Sequence, residues 1–578
     1  MSIIRHLEIN NFRSIKQLSW NPNPGLNCLI GPGDSGKSTI LDAIDLVLGA
    51  RRSYSFSDAD FYQLDTSLPI IITVTLGNLD DELQSIEKYG SFLRSYNVST
   101  KVIFDEPQLN NEVVLTIKLI VDANLDPDWR LFSERTDAEG LERRLPWKHR
   151  ELLSPARLGT TGYQNLAWGS RSVLNKLSED TLDVSSLLTK LGRQTRQAFV
   201  DQQVEGVSDV LQQVQKIGNN LGVPIGQLKA LLDVNGISLS NSAISLHNYD
   251  DTPLRQLGTG SSRLLISGLQ KAASKSTMLI VDEAEYGLEP YRITRLLNEL
   301  GSKDTIPTQQ VFITTHSPYV LRELQANQLH VIRKLIPLPP GHEPIIQPPS
   351  HAVYNLEGGD IQQATLRACA EAFLSKAVLV CEGKTEIGLV RGMDLYSQDG
   401  NHPTINSKGV YCADGGGDSL FARAKVFNSL GYPTAIFKDS DKAQEHLQQT
   451  TEAIGLRIPI FEWLNNNATE DALFLACPES LIPNLLKIAI DRKGEDAIKT
   501  HIFNYSNNQI TLNDCQERFN DSHRTILANA ANKKSWYKDI EPAENLARYV
   551  IAPNYQNFTP ILTQTLNGLF RWASGQGI

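Results

Sequence analysis

No uninterrupted apolar run in this chain approaches the ~20 residues that a membrane-spanning helix needs. The opening MSIIRHLEINNF also lacks the basic-then-apolar layout of a secretory signal. Both absences lead to the expectation of a cytoplasmic protein with no membrane partner. Cysteine is sparse. Cys28, Cys369, Cys381, Cys412, Cys477 and Cys515 form no CxxC pair and no Cys/His cluster, which fits reduced thiols and argues against a zinc site. Positive charge is short as well, with 55 Lys and Arg against 65 Asp and Glu, a net charge of −10. That balance disfavours indiscriminate phosphate binding, so any nucleic-acid contact must use local basic groups or metal ions. Candidate basic clusters are Arg143, Arg144, Lys148 and Arg150 around Trp147, the pair Arg193 and Arg196, and Lys533, Lys534 and Lys538.

What is present is length and two sets of chemically loaded strand ends. At 578 residues the chain exceeds one core, since domains hold about 100–200 residues. One apolar run, Ala377-Val378-Leu379-Val380-Cys381, delivers Glu382-Gly383-Lys384-Thr385-Glu386. Another, Thr434-Ala435-Ile436-Phe437, leads to Asp439-Ser440-Asp441. As neighbouring parallel strands, the two would gather four carboxylates at one sheet edge. Hard oxygen ligands so grouped suit Mg2+ or Mn2+, which act on phosphodiesters by generating a nucleophile and stabilising the leaving oxygen.

The second set lies nearer the start. Gly31-Pro32-Gly33-Asp34-Ser35-Gly36-Lys37-Ser38 fits the P-loop pattern, with the short strand Leu26–Ile30 before it. Ile40, Leu41, Ile44, Val47 and Leu48 then make one apolar stripe of the helix that follows. The glycines Gly31, Gly33 and Gly36 let backbone N–H groups wrap phosphates. Lys37 reaches the β/γ-phosphates, Ser38 ligates Mg2+, and Thr39 follows in the same helical turn. Met278-Leu279-Ile280-Val281 runs into Asp282-Glu283, which places Asp282 on the Mg2+ and Glu283 as the group that orients or deprotonates the attacking water. Leu257 to Arg263, containing Gly260, is a glycine-serine turn that opens a helix. Val311 to Thr315 ends at His316.

In this order the pieces resemble the ABC-type ATPases of the SMC and RecF kind. Asn11-Phe12-Arg13-Ser14 is similar to their N-terminal strand motif, Leu257–Arg263 to a degenerate signature, Gly287-Leu288-Glu289-Pro290 to the D-loop, and His316 to the switch histidine. The signature departs from LSGGQ, and Glu289 stands where many relatives have Asp or His. The resemblance implies ATP with Mg2+ as cofactor. It also implies a head-to-head dimer in which each signature serves the partner's nucleotide, because the turn has no evident role within one subunit. The ATPase is expected at 1–164 and 236–335. A helical insert at 165–235 interrupts it and is read as a dimerisation hairpin in preference to a DNA arm. The prolines Pro337, Pro339, Pro340, Pro344, Pro348 and Pro349 mark a connector at 336–371, which leaves 372–578 as a separate domain.

Glu382-Gly383-x-x-Glu386 followed by Asp439-x-Asp441 resembles the Toprim domain. ATPase followed by Toprim is similar to the OLD (overcoming lysogenization defect) family of nucleases, which includes the Gabija nuclease subunit and some retron effectors. That resemblance implies that Glu382, Asp439 and Asp441 hold one metal and Glu386 helps hold a second. Asp414-Gly415-Gly416-Gly417-Asp418 matches a Gly-rich loop, and Thr469-Glu470-Asp471 a later acidic motif in which Asp471, with Glu470 beside it, is the second-metal candidate. Lys534, with Lys533 as an alternative, matches a charge-supporting catalytic lysine. The expectation is thus an α/β chain that is an ATP-regulated, Mg2+- or Mn2+-dependent DNA endonuclease or nickase in anti-phage defence. Its partners are DNA, a second copy in a homodimer or homotetramer, and a companion helicase or reverse transcriptase with its non-coding RNA. A DNA-binding recombination-mediator ATPase is the alternative, and it leaves the carboxylates idle.

Overall fold

The computed structural model describes residues 2–158, 194, 253–273, 276–335 and 350–575. Apart from residue 194, the insert expected at 165–235 lies outside the described residues, as does the proline-rich stretch 336–349. The chain divides into two compact units. Met1–Val47, Arg51–Leu145 and Leu297–Ile578 form the first, and Leu48–Ala50 with Pro146–Leu296 the second.

In the first unit, strands β1 (Ile3–Phe12), β2 (Ile15–Trp20), β3 (Leu26–Ile30), β4 (Ile70–Gly77), β5 (Leu93–Asn97), β6 (Val102–Phe104), β7 (Glu112–Val121) and β8 (Pro127–Phe132) come early. All but β3 join one antiparallel sheet in the order β2-β1-β4-β7-β5-β6, with β8 beside β7. Its β1 buries Leu7, Ile9 and Asn11 while leaving Arg5, Glu8 and Asn10 more open, the alternation of a half-buried strand. β3 is buried at every position, because it runs parallel between two later strands and is covered on both faces.

The second unit carries β9 (Ala156–Leu158) and β10 (Met278–Val281), which pair in parallel with Val281 opposite Leu158. Helix Thr259–Ala273 packs beside β9.

Back in the first unit, β11 (Gln310–Thr314) and β12 (Leu329–Lys334) flank β3 in parallel, and β13 (His351–Asn355) runs antiparallel to β12. The second half of the expected connector therefore contains a strand, followed by helix Asp360–Ala368.

Strands β14 (Ala377–Cys381), β15 (Val410–Asp414), β16 (Thr434–Lys438) and β17 (Ile460–Glu462) form the last sheet, all parallel, in the order β15-β14-β16-β17. Helix Lys384–Asp399 and the C-terminal helices bury an apolar layer against it that includes Leu379, Phe437, Trp463, Leu473 and Leu485. Gly388 and Gly392 lie where a Cβ would overlap Ile540 O and Glu544 O. The missing side chains thus let helix Ile540–Leu546 approach at backbone distance, which fixes the segment before it. No single helix among the described residues is long and apolar enough to cross a membrane. The bent pair Thr469–Ala476 and Glu479–Lys493 passes by composition alone, and its Leu473, Phe474, Leu485 and Leu486 are core residues.

Candidate functional site

The parallel register of β14 and β16, with Cys381 opposite Phe437, brings the two acidic runs to one edge. Glu382 N donates to Phe437 O at 2.8 Å, and Asp439 N donates to Glu382 Oε2 at 2.9 Å. The loop after β15 closes round the same point, where Gly415 N donates to Cys381 O and Gly417 N to Glu382 O. A Cβ on Gly415 would stand 2.5 Å from Cys381 O, so only glycine fits there.

Helix Lys384–Asp399 begins at this edge and turns Glu386 inward, where it is buried. Its Oε2 accepts from Gly383 N at 2.9 Å and its Oε1 contacts Thr469 Oγ1 at 2.8 Å. Thr469 Oγ1 also lies 2.7 Å from Asp439 Oδ1 and accepts from Trp463 Nε1 at 2.8 Å. Glu470 is 2% exposed, and its Oε1 has no hydrogen-bond partner among the described residues.

Burial pushes the Asp439 carboxyl up to about 8, reinforced by the charge of Glu386. Burial likewise raises Glu386 to about 7, with the Glu382 and Glu470 charges adding to it against the Thr469 and backbone hydrogen bonds. Burial raises Glu470 too, opposed chiefly by the Lys538 charge. Desolvation combined with like charge is the signature of a site short of positive charge. Among the described residues no three Asp, Glu, His or Cys side chains already stand as a metal-binding group. The reason is visible in the hydrogen bonds, since carboxylate oxygens of Glu386 and Asp439 are turned onto Thr469 and Glu386 also onto Gly383. The donor set fits a hard divalent cation all the same: oxygens only, several carboxylates in excess, and one buried oxygen with no partner.

The remaining expected residues fall unevenly. Asp441 is exposed beyond β16. Asp471 caps its own helix, its Oδ2 accepting from Ala468 N at 3.1 Å, so Glu470 is the residue of that pair turned toward the cluster. Lys534 ends helix Asp521–Lys533 and is exposed, and its charge acts on His501, which burial first of all lowers. The lysine whose charge reaches Glu470 is Lys538. Sequence reasoning assigned no role to Thr469 or Trp463, and it missed Lys438. Lys438 is fully buried at the end of β16, with its Nζ 3.0 Å from Glu462 Oε2 and donating to Asp439 O at 2.6 Å. A lysine in a strand otherwise apolar was the available signal.

These carboxyls carry a pH consequence. Their folded pKa values lie above the ordinary carboxyl range near 4, so between about pH 4 and pH 8 the folded state keeps protons that the unfolded chain releases. Metal-free stability therefore falls as pH rises through that window. The melting temperature without divalent cation is expected to drop on the order of 5 °C between about pH 5 and pH 8, and Mg2+ should recover more of it at the higher pH. Asp439→Asn should flatten the profile; an unchanged slope in that variant contradicts the assignment.

The nucleotide motifs are divided between the units. In the first, Lys37 Nζ donates to Gly31 O at 3.0 Å and Pro32 O at 2.9 Å. Gly33 and Ser38 are exposed, and Gly36 and Lys37 are buried. Ser14 Oγ lies 3.4 Å from Thr39 Oγ1, and Arg13 pairs with Asp42 and Asp60, so the Asn11–Ser14 turn is seated against the P-loop helix. His316 follows β11, which is paired with β3, and leaves the sheet at the P-loop edge. In the second unit Arg157 Nη2 lies 3.6 Å from Asp282 Oδ2. Arg263 donates to Asp282 O and Glu283 O at 2.8 Å and to Tyr286 O at 3.0 Å. A Cβ on Gly260 would stand 2.5 Å from Gly287 O. The turn expected to have no role within one subunit thus braces the Asp282–Gly287 segment of its own chain.

Comparison with known proteins agrees with this division. The family described as "AAA domain, putative AbiEii toxin, Type IV TA system" matches residues 26–322, just over half of the chain. "Overcoming lysogenization defect protein-like, TOPRIM domain" matches residues 373–441. The OLD nuclease of Thermus scotoductus is 24% identical over 366 residues, 57% of this chain and 62% of that protein. The chain therefore spans about 62% of that relative's length. The DNA replication and repair protein RecF of Nitrosococcus oceani is 46% identical over 54 residues, 9% of this chain and 15% of RecF. The SMC head domain of Thermotoga maritima superposes with a TM-score of 0.28 at 14% identity, covering 61% of this chain and 99% of that domain, a level that adds nothing to the fold described above. With an AAA domain matched over half its length and an OLD-like TOPRIM domain after it, the chain belongs to the AAA-domain family and, by its two-domain composition, to the OLD family of ATPase–Toprim nucleases.

Proposed function

We propose that this protein is an ATP-regulated, divalent-metal-dependent DNA endonuclease or nickase that acts in the cytoplasm as a homodimer or homotetramer, in defence against phage. The observation that carries this reading is the carboxylate cluster at the β14 and β16 ends. Glu382, Glu386, Asp439 and Glu470 crowd there in a desolvated site with a buried, unpartnered Glu470 oxygen. A binding protein has no use for so much buried negative charge, which costs stability unless a cation offsets it.

Glu382, Asp439 and Asp441 are the residues to hold one Mg2+ or Mn2+, and Glu386 with Glu470 the second. When bound, the two cations supply a nucleophilic hydroxide and stabilise the leaving oxygen of the phosphodiester. Lys538 stands on the Glu470 side, and its ammonium is suited to charge that develops on the phosphate. Lys438, bonded to Asp439 O, holds the strand end that presents Asp439. In the ATPase, Lys37, Ser38, Thr39 and the loop glycines bind ATP and Mg2+, Asp282 holds that Mg2+, Glu283 orients water, and His316 senses the γ-phosphate. Gly260 is proposed to serve a partner's nucleotide in addition to bracing its own chain. A companion helicase or reverse transcriptase is the further partner this reading admits.

The direct test is incubation of supercoiled plasmid with the pure protein, Mg2+ or Mn2+, with and without ATP. Relaxed or linear product that requires the divalent ion is expected. Intact plasmid under every condition, with DNA bound, favours the mediator reading.

A further inference from the structure

Thr469 makes three polar contacts through one hydroxyl oxygen. Trp463 Nε1 donates to it at 2.8 Å, while Glu386 Oε1 and Asp439 Oδ1 lie 2.8 and 2.7 Å away. A hydroxyl offers one hydrogen and two lone pairs, and an indole N–H can only donate. The indole therefore takes one lone pair, leaving one hydrogen and one lone pair for two carboxyl groups. The capacity of the oxygen is used up, and its rotor is locked by a partner that cannot reverse the direction of its bond.

The four groups come from four different elements. Glu386 is on helix Lys384–Asp399, Asp439 follows β16, Trp463 follows β17, and Thr469 opens helix Thr469–Ala476. Trp463 is 1% exposed and meets the Phe437 ring edge-on at 5.2 Å, so the donor is held by the core of the sheet. Two acids that would repel each other when ionised are tied to a single oxygen whose position the core dictates.

We propose that Thr469, oriented by Trp463, is a positioning residue that sets the separation of Glu386 and Asp439 and thereby the affinity of the cluster for divalent metal. This rests on the reading of the cluster as the metal site. The hydroxyl touches two ligands and no reacting atom, so its loss weakens metal binding more than turnover at saturating metal.

The test compares wild type, Thr469→Ser, Thr469→Val and Trp463→Phe in the full chain. Mn2+ binding is measured by calorimetry and by quenching of indole emission, and cleavage is followed against Mn2+ concentration. Thr469→Val keeps the shape and removes the hydroxyl. It is expected to need about ten- to hundredfold more Mn2+, the scale of a lost hydrogen bond to a charged group, with the rate at saturation nearly kept. Thr469→Ser should return to within about threefold of wild type, and Trp463→Phe should shift affinity in the same direction by several-fold. The quenching seen in wild type should be largely lost in Trp463→Phe, because that indole is one hydrogen bond from both carboxylates.

Wild-type affinity in Thr469→Val, or equal loss in Val and Ser variants, overturns the proposal. If Thr469→Val melts well below wild type, unchanged Mn2+ affinity in a folded Trp463→Phe overturns it instead. Absence of any Mn2+ response in wild type fails the metal-site reading itself, an outcome distinct from a bound metal indifferent to Thr469.

Discussion

Asp439→Asn is expected to abolish DNA cleavage while leaving ATP binding and the fold intact. The carboxylate sits at the end of β16, its backbone N–H bonded to Glu382 Oε2 and its Oδ1 against Thr469. An amide of the same shape keeps those contacts but cannot offer a negative oxygen pair to a cation. The loss should be on the order of a thousandfold in rate, equivalent to about 4 kcal/mol of transition-state stabilisation. Stability should move the other way. Burial raises the Asp439 carboxyl to about 8, so ionised Asp439 strains the metal-free fold at neutral pH, and a neutral amide removes that cost. A variant that melts at or above wild type, binds ATP normally and no longer relaxes plasmid is the expected combination. Cleavage at the wild-type rate by purified Asp439→Asn would falsify the metal assignment.

The sequence discloses this site to the extent that its chemistry is contiguous in the chain. Glu382 and Asp439 each end a short apolar run, and two such runs in a parallel sheet must end at the same edge, so their meeting follows from pattern alone. Helix phase is harder to read. Glu470 and Asp471 are neighbours of equal charge, and which one enters the site depends on Asp471 being drawn back to Ala468 N as a cap. The lysines show the same difficulty. Lys534 and Lys538 flank the buried pair Trp536 and Tyr537, and the turn after the helix decides which ammonium reaches Glu470. Trp463, Thr469 and Lys438 were illegible for a different reason. Their importance lies in hydrogen bonds to residues on other elements, and nothing in their local sequence distinguishes them from core aromatics, caps or surface charge.

In the ATPase the motifs were legible, but one inference from them was not. A glycine-serine turn read by resemblance looks like a device for a partner subunit. Arg263, which closes that turn, instead donates to the carbonyls of Asp282, Glu283 and Tyr286 in its own chain. The turn and the acidic strand end are thus mechanically tied, and any partner that presses on the turn must act on the segment carrying Glu283. This gives a physical route by which assembly could bear on hydrolysis, since Glu283 already holds a left-handed backbone with φ of 49°, a conformation that a neighbouring brace is needed to keep.

Lys37 and Glu283 are therefore expected to fail at different steps. Lys37 is 6% exposed, with its ammonium among the P-loop acceptors Gly31 O, Pro32 O and Ser35 Oγ. Lys37→Ala removes the point charge that the triphosphate needs and leaves those buried acceptors without their donor, so nucleotide binding should fall at least on the order of a hundredfold. Glu283→Gln keeps size and hydrogen-bonding capacity and removes only the basic oxygen. It should bind ATP at wild-type affinity and hydrolyse it roughly 100- to 10,000-fold more slowly, the usual contribution of a positioned general base. Equilibrium binding of a fluorescent nucleotide separates the first variant, and single-turnover hydrolysis the second. Because Glu283→Gln holds ATP without spending it, it also reports on coupling. If nucleotide state governs the carboxylate site, plasmid cleavage by Glu283→Gln should respond to ATP more persistently than in wild type, whereas Lys37→Ala should ignore it. Equal hydrolysis by Glu283→Gln and wild type makes another residue the base, and cleavage indifferent to ATP in all three proteins means that the two sites share a chain without sharing a mechanism.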